Sequence, residues 1–183
     1  MTQETIAAIS TAWGEAGIAI VRLSGPEARN MADSVLSCAV PLGKSRPRMM
    51  RNAFLLDECG AAVDQVLAVW FAAPHSYTGE DVAEIHTHGG TLVAQLCLRR
   101  LLGRGARLAL PGEFTKRALL SGRIDLTQAE AVLGIIRSRS EEALRAATRT
   151  LRGDLSAFAS EIRQEIVGLL AQVEAGLDFP EDD

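Results

Sequence analysis

Aromatic residues make up only 4% of this 183-residue chain and cysteine occurs three times. No apolar run approaches the roughly 18 residues that a membrane-crossing helix needs. The start, Met1-Thr2-Gln3-Glu4, has neither the basic nor the apolar segment of a secretion signal. These absences predict a cytoplasmic protein without a membrane anchor. Cys38, Cys59 and Cys97 are odd in number and in no ligand spacing, which argues against a disulfide framework and against zinc. They read as reduced, small apolar residues. Gly43-Lys44-Ser45 fails as a phosphate loop, because Cys38 stands where the first glycine of a Walker sequence is required. No Gly-x-Ser-x-Gly elbow or Cys-x-x-Cys pair occurs either. The length excludes a complete α/β barrel and suits one core with an appended piece.

What is present is charge, unevenly spread. The net charge of −4 conceals a segment 99–152 with 12 basic and 5 acidic residues, followed by 153–183 with 1 and 8. Seventeen of the nineteen cations are Arg, whose planar fork suits carboxylate and phosphate. The middle segment is therefore either a nucleic-acid contact or a solvated helix face.

Short apolar runs between turn formers predict a β-rich region over residues 4–98. A strand over 17–23 is expected to lead into a helix from Pro26 to about Ser37. An exposed loop over 41–51 is then followed by a hairpin of strands near 52–57 and 63–72. Asp81–His88 reads as a strand on which Val82, Glu84, His86 and His88 share one face. A helix over 91–103, presenting Leu92, Leu96, Leu98 and Leu102, a short strand over 106–110 and a helix over 113–120 complete an α+β domain. From Thr127 the pattern is helical, with Thr127-Gln128-Ala129-Glu130 as a capping box and a break near Ser138-Arg139-Ser140. Leu144, Ala147, Leu151, Leu155, Phe158, Ile162, Ile166, Leu169, Val173 and Leu177 recur at 3.67 residues per turn. One helix from Glu141 to Leu177 would be about 55 Å long. Its stripe would need helices from another subunit or from further sequence.

Three constellations could carry chemistry. Glu84-x-His86-x-His88 places three potential metal ligands on one strand face, or is simply a polar strand end. Arg22 and Glu84 lie inside apolar strands, where charge is costly unless paired. They form either an internal salt bridge or a site for a ligand that bears both N–H donors and carboxylates. Arg123 is a third charge beside a glycine, in the turn Ser121-Gly122-Arg123-Ile124-Asp125.

Thr5-Ile6-Ala7-Ala8-Ile9-Ser10-Thr11, Gly17-Ile18-Ala19-Ile20-Val21-Arg22-Leu23-Ser24-Gly25, Ser76-Tyr77-Thr78-Gly79-Glu80-Asp81-Val82-Ala83-Glu84-Ile85, His88-Gly89-Gly90, Pro111-Gly112-Glu113-Phe114-Thr115-Lys116-Arg117-Ala118 and Asp125-Leu126-Thr127-Gln128-Ala129-Glu130-Ala131 closely resemble the MnmE (TrmE) family of tRNA-modification GTPases. Val173-Glu174-Ala175-Gly176-Leu177-Asp178-Phe179-Pro180 resembles that family's helix end. The resemblance spans the chain and implies its organisation. Residues 1–123 would be an α+β folate-binding and dimerisation domain similar to that of aminomethyltransferases. Residues 124–183 would be the first part of a helical domain, ending where a GTPase domain would be inserted. GTP, potassium and magnesium would belong to that further domain.

The resemblance also implies the chemistry of the whole protein. With the flavoprotein MnmG, it would form 5-(carboxymethyl)aminomethyluridine at the wobble position of tRNA, as a homodimer. The one-carbon unit would come from a tetrahydrofolate derivative, 5-formyl- or 5,10-methylenetetrahydrofolate. Arg22, Glu84 and Arg123 match the family's folate-binding positions, with Arg123 where the family usually has Lys. The chain departs from the family at Ala12-Trp13-Gly14-Glu15-Ala16-Gly17, in place of Pro-Pro-Gly-Arg-Gly-Gly, and at Thr87, in place of Gly. The alternative is a tRNA- or protein-docking scaffold built on the basic segment 99–152, without folate binding.

Overall fold

The structure, a computed structural model, describes residues 4–178. Phe179 and Pro180, part of the helix-end resemblance, lie outside the described residues. The chain divides at Arg123/Ile124 into two compact units.

The first unit is α+β. Its strands are β1 (Ile6–Ile9), β2 (Ala16–Ser24), β3 (Leu36–Ser37), β4 (Arg51–Leu56), β5 (Ala62–Phe71), β6 (Val82–Gly89) and β7 (Arg107–Leu108). They form one sheet in the order β3-β4-β5-β6-β2-β1-β7, antiparallel except for the β1/β7 pair. Its helices are α1 (Ala28–Asp33), α2 (Thr91–Gly103) and α3 (Glu113–Leu120). Ala7, Val21, Leu23, Ala53, Leu55, Val66, Ala68, Ala83 and Ile85 share a core with Ala28 and Ala32 of α1 and Cys97 and Leu101 of α2. Each fully buried Leu or Ile contributes about 1.5–3 kcal/mol, so this face fixes the register. Period-two alternation then sends Arg22, Glu84 and His86 to the opposite face.

Gly89 marks where β6 passes closest to its neighbour. An added Cβ would lie 2.0 Å from the Ala16 carbonyl oxygen and 2.8 Å from the Ile18 amide nitrogen, at the irregularity in the β2/β6 ladder. Gly89→Ala is therefore expected to cost about 3 kcal/mol or more through forced separation of backbones. Urea unfolding checks this, and an unchanged midpoint would contradict it.

Several sequence expectations are corrected. The first helix ends at Asp33 rather than near Ser37, because Leu36 and Ser37 pair with Leu55 and Phe54 of β4. The 41–51 segment contains a 3-10 turn, Leu42–Lys44, whose Leu42 is buried; Asp33 accepts from the amides of Leu42 and Gly43. Helix α2 has the expected bounds, and the expected Leu98 and Leu102 pack against the core, but the residues it buries fully are Ala94, Cys97 and Leu101, while Leu92 is exposed. Burial pushes the Cys97 thiol up to about 12, with the charge of Asp64 adding to it. The strand expected over 106–110 is only Arg107–Leu108.

The second unit is helical: α4 (Leu126–Arg137), α5 (Glu141–Leu151) and α6 (Asp154–Asp178). The capping residue of α4 is Asp125, which accepts from the Gln128 amide while the Gln128 side chain accepts from the Asp125 amide. The box is thus shifted by two residues, and Thr127 instead donates to the Asp125 carboxylate. That carboxylate is held below its ordinary pKa, first by Ser156 and then by the Gln128 amide. The break at Ser138–Ser140 is where the sequence placed it, with Ser140 capping α5. A second break interrupts the expected long helix at Arg152–Gly153, where Gly153 has φ +91°. That conformation strongly favours glycine. The 25 residues of α6 span about 37 Å rather than 55 Å. Leu155, Phe158, Ile162, Ile166, Leu169, Val173 and Leu177 are all exposed along it. Among the described residues, no helix is long and apolar enough to cross a membrane.

Candidate functional site

Register brings the two charged strand residues face to face. Arg22 of β2 lies opposite Glu84 of β6; its Nε donates to Glu84 Oε1 at 2.8 Å, and its Nη2 lies 2.7 Å from the same oxygen in an ion pair. The ion pair set against a ligand site in the sequence is therefore formed. It is not sealed: Arg22 is 27% exposed and Glu84 13%. Both Arg22 nitrogens meet one carboxylate oxygen, and Glu84 Oε2 has only a 3.2 Å contact with His86 Nε2. Val69 of β5 and Ala8 of β1 are the apolar neighbours across the ladders.

Two aromatic rings complete this spot, and neither was singled out from the sequence. The Arg22 guanidinium carbon lies 5.5 Å from the Tyr77 ring centre and 5.8 Å from that of Phe114. Both distances are within cation–π range. Tyr77 and Phe114 belong to different segments that meet because the Tyr77 hydroxyl shares a 2.8 Å hydrogen bond with Thr115. Both rings stand in motifs that carried the resemblance, which was the available signal.

Arg123 approaches the same loop from its other end. Ser121 Oγ donates to the Thr78 carbonyl at 2.6 Å. A Cβ on Gly79, whose φ is +80°, would meet Ser121 Oγ at 2.7 Å and Arg123 Cγ at 3.2 Å. Residues 77–79 thus touch Arg22 through Tyr77 and Arg123 through Gly79. Arg123 is exposed and bonded to neither Arg22 nor Glu84.

Beneath this loop lies an ionic network whose centre, Arg117 with Glu80 and Glu113, is largely buried. Arg117 is 8% exposed and donates to Glu80, Glu113 and the carbonyls of Ser24 and Glu4. Ser24 Oγ donates to Glu80 Oε2 at 2.7 Å and shares a 2.6 Å bond with Thr78. Arg107 grips Glu113 through both Nη atoms and reaches Glu4 through Nε. Those bonds raise the Arg107 pKa, Glu113 first and Glu4 second. Glu113 is held down at about 2, chiefly by Arg107, then by the Leu110 amide and Arg117 against the cost of burial. The four-residue step from Glu113 to Arg117 was the legible trace of this network.

The metal alternative does not assemble. Glu84 and His86 contact each other, His88 is bonded to Asp64 instead, and among the described residues no cluster of three or more His, Cys, Asp or Glu is placed to hold an ion. Of the departures, Thr87 is buried and donates to the Ala19 and His88 carbonyls, so the core accepts it. Trp13 is 69% exposed, beside a Gly14 at φ +133°.

The family profile described as "GTP-binding protein TrmE N-terminus" matches residues 5–123, and "MnmE helical domain" matches 126–183. The chain belongs to the MnmE family. It is 47% identical over 181 residues to the tRNA modification GTPase MnmE of Opitutus terrae, covering 99% of this chain and 39% of that protein. It is 48% identical over 185 residues to the MnmE of Moorella thermoacetica, covering 100% and 40%. The MnmE of Akkermansia muciniphila is 48% identical over 181 residues, covering 99% and 40%. The chain thus spans about two fifths of the length of these curated MnmE relatives.

Proposed function

We propose that this chain is the folate-binding, dimer-forming part of a tRNA-modification GTPase. With MnmG, that protein would form 5-(carboxymethyl)aminomethyluridine at the tRNA wobble position in the cytoplasm. Membership of the MnmE family supports the setting. The observation that carries the folate site is the half-buried Arg22–Glu84 pair under Tyr77 and Phe114, on the sheet face opposite the core.

The donor set fits a reduced folate. A carboxylate can accept two N–H bonds from a pterin edge, and Glu84 Oε2 is the less engaged oxygen. Tyr77 and Phe114 offer apolar ring surface beside it. Arg22 keeps N–H donors beyond those given to Glu84, and Arg123 adds an exposed cation, both suited to folate carboxylates. A bound tetrahydrofolate would supply the one-carbon unit, while Arg22, Glu84 and Arg123 bind and orient it. Exposed Ile18, Phe54 and Leu67 on the sheet give a second copy apolar area to cover.

Calorimetric titration with 5-formyltetrahydrofolate tests the site. Saturable heat at one ligand per chain is expected. No heat at about 100 μM protein would reject it.

The basic segment 99–152 supports the docking alternative less well than its charge suggested. Arg100 donates to the Leu56 carbonyl, and Arg107, Arg117, Arg145 and Arg149 pair with acidic residues. Five of its twelve cations are therefore engaged within the protein.

A further inference from the structure

A different group of cations forms no ion pair among the described residues. From Ser34 to Leu56 the sequence has four basic residues, Lys44, Arg46, Arg48 and Arg51, and no acidic one. The fold adds Arg29 from α1 and ties the loop that carries Lys44, Arg46 and Arg48 to Trp70. The Arg29 guanidinium carbon lies 4.9 Å from the Trp70 ring centre. Arg51 pairs with Ala68 across the β4/β5 ladder, placing it on the same face as Trp70 two residues on. Trp70 Nε1 donates to the Ser45 carbonyl at 3.2 Å, and its own carbonyl accepts from the Arg48 amide at 2.7 Å. The 44–51 loop is thereby tied over the indole.

Three features distinguish this cluster from an ordinary solvated loop. Among the described residues, none of the five cations forms a salt bridge. The nearby carboxylate of Asp33 accepts from the Leu42 and Gly43 amides. The Nε atoms of Arg29 and Arg51 are buried without a hydrogen-bond partner, a costly state for a charged donor. Arg48 is the only non-glycine residue at positive φ among the described residues, at +64°, and its Nη2 donates to the His75 carbonyl. Its backbone is held in a conformation that local energetics disfavour.

We infer that Arg29, Lys44, Arg46, Arg48 and Arg51 form a docking site for the backbone phosphates of an RNA. Five cations beside the single carboxylate of Asp33 leave an unbalanced positive field, which a row of phosphates balances. Four of the five are arginines, whose forks take two phosphate oxygens at once. The choice of RNA over another polyanion rests on the reading of this chain as part of a tRNA-modifying protein. The site lies outside the Arg22–Glu84 pair and shares no residue with it, so the two can fail separately.

The test is fluorescence anisotropy of labelled, unmodified tRNA with the whole 183-residue chain across a salt series. The triple variant Lys44→Gln/Arg46→Gln/Arg48→Gln removes exposed charges only, and the single variant Arg46→Gln provides a milder change. At about 0.1 M salt the triple variant is expected to bind at least tenfold more weakly, with the salt slope reduced by about 2. Arg46→Gln is expected to lower the slope by about 0.7. The control pair Arg99→Gln/Arg104→Gln, from the 99–152 segment, is expected to leave both quantities nearly unchanged. Unchanged affinity and slope in the triple variant would overturn the site, as would absence of tRNA binding by the unaltered chain. A larger loss in the control pair would also overturn it. Folate titration of the same samples separates the cases: retained folate binding with unaltered tRNA binding refutes the phosphate site and leaves the folate site standing.

Discussion

Glu84→Ala is expected to weaken binding of 5-formyltetrahydrofolate by 100-fold or more while the protein stays folded. The carboxylate would accept two charge-assisted hydrogen bonds, each worth about 1.5–3 kcal/mol, and together they account for that factor. Stability is expected to change little. Arg22, left without its partner, is 27% exposed and can turn to water, so the cost falls to about 1 kcal/mol. Glu84→Gln is expected to lie between, because its amide oxygen accepts one bond while its NH2 group opposes the Arg22 donors. Calorimetry gives the affinity and a thermal melt gives the stability. Native-like affinity in Glu84→Ala with an unaltered melt would remove Glu84 from the site.

Arg117→Met should have the largest effect on stability. The guanidinium is 8% exposed and holds Glu80, Glu113 and two backbone carbonyls from different segments. Its removal leaves two carboxylates buried with less compensation, and one oxygen of Glu80 already lacks a partner. Breaking such a network by deleting one member costs about 3–5 kcal/mol. For a unit of this size the melting temperature should fall by more than about 10 °C. The acid limb follows from Glu113. Its pKa is about 2 in the folded protein against 4.5 as the ordinary value, so its contribution is fully present above about 4.5. That contribution is lost as pH falls from 4.5 through about 2, where the folded protein also takes up the proton. Arginine side chains do not titrate in this range. Glu113→Gln is therefore expected to lower stability at neutral pH and to flatten its pH dependence between 4.5 and 2. Melts recorded across that range would show it, and a parallel curve for the variant would contradict the assignment.

The local parts of the fold were legible in the sequence. Strands β2 and β6, the hairpin β4–β5, helices α2 and α3 and the break at Ser138–Ser140 each follow from patterns within a few residues. The parts that depend on distant partners were not. Helix α1 is cut short because Leu36 pairs with Leu55, nineteen positions on, and no propensity at Leu36 announces it. The seam from Leu144 to Leu177 is periodic throughout, yet Gly153 at φ +91° divides it. Periodicity reports which face is apolar and is blind to one left-handed residue. In α2 the apolar face is centred on Ala94, Cys97 and Leu101, with Leu98 and Leu102 packed at its edge and Leu92 exposed.

The candidate site divides in the same way. Arg22 and Glu84 stand out because charge inside an apolar strand demands an explanation. Tyr77 and Phe114 do not, because only the folded chain brings residues 37 positions apart to one guanidinium. Arg123 was placed by resemblance alone. Its contact with Gly79 ties it to the same loop, at the opposite end from Arg22.

The most direct measurement is a crystal structure of this chain with 5-formyltetrahydrofolate bound. The account predicts pterin N–H groups within hydrogen-bond distance of the Glu84 carboxylate, beside Tyr77 and Phe114. Density for the ligand elsewhere, with the Arg22–Glu84 pair closed and untouched, would contradict it.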